Sequence, residues 1–166
     1  MSVAVVMTGG TIAKSYDPAS ALLHNFELKA KELVQSLRAD DLSFTFIDLL
    51  QVDSIDLGDT ERSILLAAIT RCCGTHDAVL VTHGTDGMAE SGELLCSKLG
   101  LPPVPVVFTG AMVPYAVHGS DAIQNVSEAL LALRLLPSGI YVVIHNRILR
   151  LPGAYKDHKS LTFAAV

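Results

Sequence analysis

Ala78-Val79-Leu80-Val81-Thr82-His83-Gly84-Thr85-Asp86 is an apolar run that breaks abruptly into a polar, glycine-containing turn. Four consecutive apolar residues bounded by such a turn read as a strand covered on both faces, as in a parallel sheet flanked by helices. The same grammar occurs at the start of the chain. There Val3-Ala4-Val5-Val6-Met7 runs into Thr8-Gly9-Gly10-Thr11. Ligands of open parallel sheets bind at the carboxyl ends of strands, above all where strand order reverses. If these runs are the first and third strands of a flavodoxin-like order, their turns face each other across that reversal. Hydroxyls, a carboxylate and glycine-permitted N–H groups then converge on one cleft.

Working outward, three further apolar runs complete a sheet: Phe44-Thr45-Phe46-Ile47, Val104-Pro105-Val106-Val107-Phe108 and Ile140-Tyr141-Val142-Val143-Ile144. The first alternates and suits an edge with one wetter face. Between the runs lie helical stripes. Ile64, Leu65, Ala68, Ile69 and Cys72 follow a plausible N-cap at Asp59. Met88, Leu95 and Leu99 share a face with Gly92, and a segment from Asp121 to Leu136 stops at Pro137-Ser138-Gly139. Residues 12–27 read as a loop before a helix at about 28–38. Right-handed crossovers then give a three-layer α/β/α sandwich with a mainly parallel, flavodoxin-like sheet. After Ile144 the chain is polar and basic to Lys159, and the apolar stretch Leu161 to Val166 is expected to pack on its own domain or a neighbour.

At 166 residues, half of them hydrophobic and 17% charged, the chain fits one domain with an ample core. A net charge of −5, with no basic run longer than two residues, argues against nucleic acid or an anionic membrane as partner. Cys72, Cys73 and Cys96 read as reduced thiols, which suggests a reducing compartment. The start lacks a basic n-region and an apolar core of signal length, and no run approaches the ~20 residues that span a bilayer. A cytoplasmic protein is expected.

The chemistry-bearing residues each admit a plain reading beside a functional one. Thr11 is a candidate nucleophile, yet Thr8 or Thr11 could simply cap the turn. Thr85 and Asp86 could be N-capping groups, or could place a hydroxyl and an anion in the cleft. A threonine nucleophile needs a base nearby. Lys156 or Lys159 could serve once desolvated, and the residues do not choose between them. His83 reads better as a buried, backbone-satisfied histidine than as a base. Asp53-Ser54 ends the second strand on the same side of the sheet and could be a turn. The other histidines lack metal-ligand spacing, and neither G-x-G-x-x-G nor G-K-[ST] occurs. Asn125-Val126-Ser127 is a sequon in form but falls within a helix.

Taken together, Thr8-Gly9-Gly10-Thr11-Ile12-Ala13, His83-Gly84-Thr85-Asp86 and Thr109-Gly110-Ala111-Met112-Val113-Pro114 resemble the bacterial-type L-asparaginases, from Val3 to about Lys156. The resemblance implies an amidohydrolase without metal or cofactor. Thr11 would attack the side-chain amide and form an acyl-enzyme, while Thr85, Lys156 and Asp86 form a second polar cluster with Lys156 as proton acceptor. Asp86 would bind the α-ammonium and Ser54 the α-carboxylate, with Asp53 and Gly84 in the same substrate pocket. Backbone groups of Thr85 and Ala111 would contact the amide and its oxyanion, and Tyr16 would assist Thr11 from a mobile loop. Leu151-Pro152-Gly153-Ala154-Tyr155 departs from the family's acidic-basic run before the lysine, and Gly87 replaces its usual polar residue. Tyr16 also lies closer to Thr11 than the loop tyrosine usually does in longer members. The chain is expected to be a single N-terminal-type domain, 1–166, with the family's usual carboxyl-terminal domain absent, either a natural short form or a fragment, the tidy apolar ending favouring the short form. A homodimer or higher homo-oligomer is expected. The rival readings are a glutaminase, another amidohydrolase acting on a peptide-linked or tRNA-linked amide, and a non-catalytic amino-acid-binding module.

Overall fold

The computed structural model describes residues 1–25 and 27–166, with Glu27 and Leu28 described by backbone alone. In chain order its elements are β1 (Ser2–Gly9), β2 (Lys14–Asp17), β3 (Leu22–Asn25), α1 (Glu27–Ser36), β4 (Ser43–Val52), α2 (Asp59–Cys73), β5 (Ala78–Thr82) and α3 (Met88–Leu99). There follow β6 (Pro105–Thr109), α4 (Ala122–Leu135), β7 (Gly139–Ile144), β8 (Arg147–Arg150), β9 (Ala154–Asp157) and β10 (Thr162–Ala165). One six-stranded sheet has the order β4-β1-β5-β6-β7-β8, and all its pairings are parallel except β7 with β8. Its first five strands follow the flavodoxin-like order, so the reversal falls between β1 and β5.

The period-two alternation of a strand explains the layers. Val3, Val5 and Met7 of β1 pack with Leu33 and Val34 of α1 and with Val126, Leu130 and Leu133 of α4. Ala4 and Val6 point the other way, toward Leu65 and Ile69 of α2 and Leu95 of α3. Val3 to Val6 are fully buried, so β1 is covered on both faces. The edge strand β4 alternates between exposed and partly covered residues from Ser43 to Phe46, as its sequence suggested, and the alternation breaks beyond.

Several details differ from the sequence reading. Helix α2 is capped by Gly58, and Asp59 is its first residue, because the Glu61 carboxylate reaches back to accept the Gly58 N–H at 3.0 Å. Ile64 lies on the solvent side of that helix, whereas Leu65, Ala68, Ile69 and Cys72 are buried. Thr85 and Asp86 stand in a turn ahead of α3 rather than at its first positions, and Gly87 is the cap. The stretch 12–27 is not a loop. It holds a 3-10 turn at Thr11–Ala13 and the antiparallel β2–β3 hairpin. The Asp17 carboxylate closes that hairpin by accepting the Ala19 N–H at 3.0 Å and the Ser20 hydroxyl at 2.8 Å. Its strands bury no residue fully and carry no alternation of apolar residues, so periodicity could not reveal them. Phe26, within the stretch read as a loop, lies outside the described residues.

The polar stretch after Ile144 likewise folds into β8 and β9. The apolar tail forms β10, and Phe163 is fully buried against the α2–α3 side of the sheet. The three cysteines are free thiols, and burial pushes Cys73 up to about 11. Among the described residues no helix is long and apolar enough to cross a membrane.

Candidate active site

The first glycine-threonine turn is shaped by two residues with positive φ, Gly9 at 87° and Gly10 at 79°. A side chain costs energy in that region, and here it also has nowhere to go, since a Cβ on Gly10 would overlap the Gly84 Cα. The two turns therefore touch backbone to backbone. Gly10 N–H donates to Val52 O at 3.1 Å, tying the turn to the end of β4. The Thr8 hydroxyl donates to Thr82 O at 3.0 Å and staples β1 to β5, so Thr8 is the structural threonine of the pair. Thr11, first in the 3-10 turn, is half-buried, and among the described residues its Oγ1 has no hydrogen-bond partner.

The second turn is built on His83. Its ring is fully buried, with Nδ1 2.8 Å from Gly84 O and Nε2 2.9 Å from the Ser91 hydroxyl. A carbonyl can only accept, so Nδ1 carries the proton and Nε2 accepts from Ser91. Burial lowers the His83 pKa to about 4, and the bond to Gly84 O offsets only part of that effect. The imidazole is thus neutral and fully engaged, a girder under the turn and not a base in the cleft.

Above it, Thr85 is 3% exposed and accepts a hydrogen bond from Lys156 Nζ at 2.8 Å. The same Nζ lies 2.8 Å from Asp86 Oδ1. Lys156 comes from β9, opposite Phe163 of β10, so burying that phenylalanine sets the register that aims the lysine. Lys159 sits beyond β9, where its N–H donates to Asp157. Ser54, in a 3-10 turn after β4, is buried, and its Oγ accepts the Gly87 N–H at 3.0 Å.

Thr11, Asp53, Ser54, Gly84, Thr85 and Asp86 line one cavity of about 110 Å³ with Gly10, Lys14 and Ile55. That is well above the ~10–15 Å³ a single water requires, so the space suits a small polar ligand. Three of the expected residues are outside this lining: Lys156, which reaches Thr85 and Asp86 from β9, Tyr16 and Ala111. Tyr16 is on β2, 60% exposed and outside the lining, and Ala111 is buried in the core behind it. Sequence reasoning missed Lys14, whose Nζ is 2.8 Å from Asp53 Oδ2. Lys14 lies in the stretch read as a loop, so no spacing pattern in the sequence marked it.

A second cluster was also missed. The Asp121 carboxylate accepts N–H bonds from Met112 and Val113 and lies 2.8 Å from His145 Nε2. Burial pushes its pKa up, but these donors outweigh that and hold it below the ordinary value. Asn125, fully buried, donates to Gly110 O and accepts the His145 N–H, so this network clamps the Gly110–Val113 loop. Asp121 and Asn125 lie one helical turn apart, but only folding brings His145 to them. Among the described residues no group of three or more His, Cys, Asp or Glu side chains is placed to hold a metal ion.

The fold and cleft define an open α/β domain with a polar cavity at the strand ends beside the sheet reversal. Comparison with known proteins narrows that class. Residues 2–165 match the family model for the asparaginase N-terminal domain, and the chain belongs to that family. It is 31% identical over 152 residues to an L-asparaginase of Thermococcus kodakarensis, an alignment covering 90% of this chain and 45% of that protein. The solved structure of the thermostable L-asparaginase from that organism superposes with a TM-score of 0.91 at 29% identity, covering all of this chain and 51% of the other. The chain is also 31% identical over 149 residues to a glutamyl-tRNA(Gln) amidotransferase component of Aeropyrum pernix, covering 86% of this chain and 34% of that one. The chain therefore spans about half the length of the L-asparaginases it matches, and less of the amidotransferase component.

Proposed function

We propose that this domain hydrolyses the side-chain amide of L-asparagine to L-aspartate and ammonia. The observation that carries the reading is the lysine-threonine-aspartate cluster, in which one buried-stem amine lies 2.8 Å from both Thr85 Oγ1 and Asp86 Oδ1 at the edge of the cleft that Thr11 lines. Thr11 Oγ1 adds to the amide carbon, its proton passes to a base, and the carbonyl electrons move onto oxygen. Collapse of that tetrahedral species breaks the C–N bond, the leaving nitrogen takes a proton, and ammonia departs from an acyl-threonine ester. Water then adds to the ester and releases L-aspartate with Thr11 restored.

In this reading Lys156 is the proton acceptor for Thr85 across their 2.8 Å contact. Donors preorganised toward the oxyanion each contribute about 3 kcal/mol in such reactions. Asp86 and Ser54 hold the α-ammonium and α-carboxylate in this reading, while Tyr16 approaches Thr11 only by movement of the β2–β3 hairpin. The domain works as a homodimer in the cytoplasm in this proposal, which light scattering and fractionation test. Similarity to an amidotransferase component favours one rival, a domain that releases ammonia from a different amide.

Ammonia release from L-asparagine and L-glutamine by the full chain, beside Thr11→Ala and Thr85→Ala, tests the proposal. Turnover of L-asparagine that both substitutions abolish supports it. A well-folded wild-type chain that binds L-asparagine but releases no ammonia sinks it in favour of a binding module, and a preference for L-glutamine moves the reading to the other amide.

A further inference from the structure

The cleft contains a cation that the three family-like motifs do not include. Lys14 follows the Thr11–Ala13 turn directly and lines the same cavity as Thr11 and Ser54. Its only ion-pair partner among the described residues is Asp53, at 2.8 Å, and the two side chains are 23% and 35% exposed. The other lysine of the site is engaged differently, since Lys156 touches both Thr85 and Asp86. Positive charge is therefore supplied twice. One ammonium comes from Lys14 at the start of β2, which lines the cavity with Ser54, and the other from β9 beside Thr85.

Ser54 strengthens the first of these positions. Its oxygen accepts the Gly87 N–H, which leaves the hydroxyl hydrogen free to donate into the cavity. An ammonium and a hydroxyl donor lining the same small cavity suit a carboxylate, and charge-assisted hydrogen bonds are the strong ones. Moving Lys14 from Asp53 to a ligand costs little, because a half-exposed ion pair contributes little by itself.

We propose that Lys14 is a specificity-determining residue of this cleft, recognising the free α-carboxylate of a small zwitterionic ligand by exchanging its bond to Asp53 for one to the ligand. This deepens the amidohydrolase reading and rests on it for the identity of the site. A substrate whose α-carboxyl is tied up as an ester or amide, as in an aminoacyl-tRNA or a peptide, presents a neutral carbonyl to Lys14 and is discriminated against.

Calorimetric titration of L-aspartate against β-alanine, which is the same molecule without its α-carboxylate, tests the proposal without requiring turnover. The wild-type chain binds L-aspartate about 10- to 100-fold more tightly than β-alanine, the range of a charge-assisted bond. Lys14→Met erases that preference without shifting the melting temperature, and Lys14→Arg keeps most of it. A preference that survives in Lys14→Met overturns the proposal, as does a wild-type chain that shows none. Steady-state kinetics separates the two proposals. A preference lost in Lys14→Met together with no ammonia release keeps the carboxylate site and removes the amidohydrolase. Ammonia release with an unchanged KM for L-asparagine in Lys14→Met does the reverse.

Discussion

The turns after β1 and β5 share their composition, a glycine and a threonine at the end of a buried strand, yet the fold treats them differently. After β1 the threonine is half-buried with its hydroxyl unpartnered among the described residues, and the chain leaves directly into an exposed hairpin. After β5 the threonine is buried and bonded to Lys156, on a turn propped by a neutral histidine. One turn presents a hydroxyl and the other immobilises one. Two like motifs facing across a strand reversal therefore need not be redundant, and the proposed division between an attacking and a relaying threonine follows that asymmetry.

The largest effect that would break the comparison lies at the lysine. Lys156→Met removes the proposed proton acceptor and is expected to lower kcat by about 10²- to 10⁴-fold, with KM for L-asparagine changed far less. Stopped assays across pH 6–10 check it. A variant retaining most of its kcat would mean that the two turns differ in packing only.

Next comes the contact between the turns. Gly10→Ala forces a side chain into positive φ and against the Gly84 backbone, so a loss of about 3 kcal/mol is expected in urea unfolding. Gly84→Ala carries no positive-φ strain but meets the Ser54 Oγ at 2.5 Å and Cβ at 2.7 Å, so the Ser54 turn itself must shift, at a cost of about 2 kcal/mol. Equal costs would show that both turns yield alike.

The smallest effect sharpens the difference in rigidity. Because the His83 pKa falls from 6.5 to about 4 on folding, the folded state binds fewer protons than the unfolded state. Its contribution is intact above pH 6.5 and is lost as pH falls toward 4, an effect of about 3 kcal/mol over that window. At pH 5, halfway down, His83→Gln is expected to recover about 2 kcal/mol of the acid-induced loss seen in wild type. Urea midpoints at pH 7 and pH 5 for both proteins decide this.

How much of this was legible in the sequence varies with how local the cause is. The strands β1 and β5 were readable because burial on both faces demands an unbroken apolar run. His83 was readable as structural because a polar ring between a buried strand and a glycine needs backbone partners. Ile64 was misassigned since it lies beside the buried stripe of α2 and periodicity does not resolve one position from the next. The hairpin β2–β3 stayed hidden because its strands are held by turn hydrogen bonds and not by a core-facing alternation.

The sequence by itself determined the α/β class, the five parallel strands and the polar residues at the strand ends, since these follow from short-range apolar patterning and turn chemistry. Residue type alone left Lys156 and Lys159 open and the family resemblance named Lys156; the tertiary structure brings Lys156 to Thr85, because burial of Phe163 sets the register of β9. It also decided that Lys14 pairs with Asp53 across the cleft and that Asp121, Asn125 and His145 clamp the Gly110–Val113 loop. Each of these contacts joins segments distant in the chain. Their partners are chosen by packing in three dimensions, which residue type and spacing do not encode.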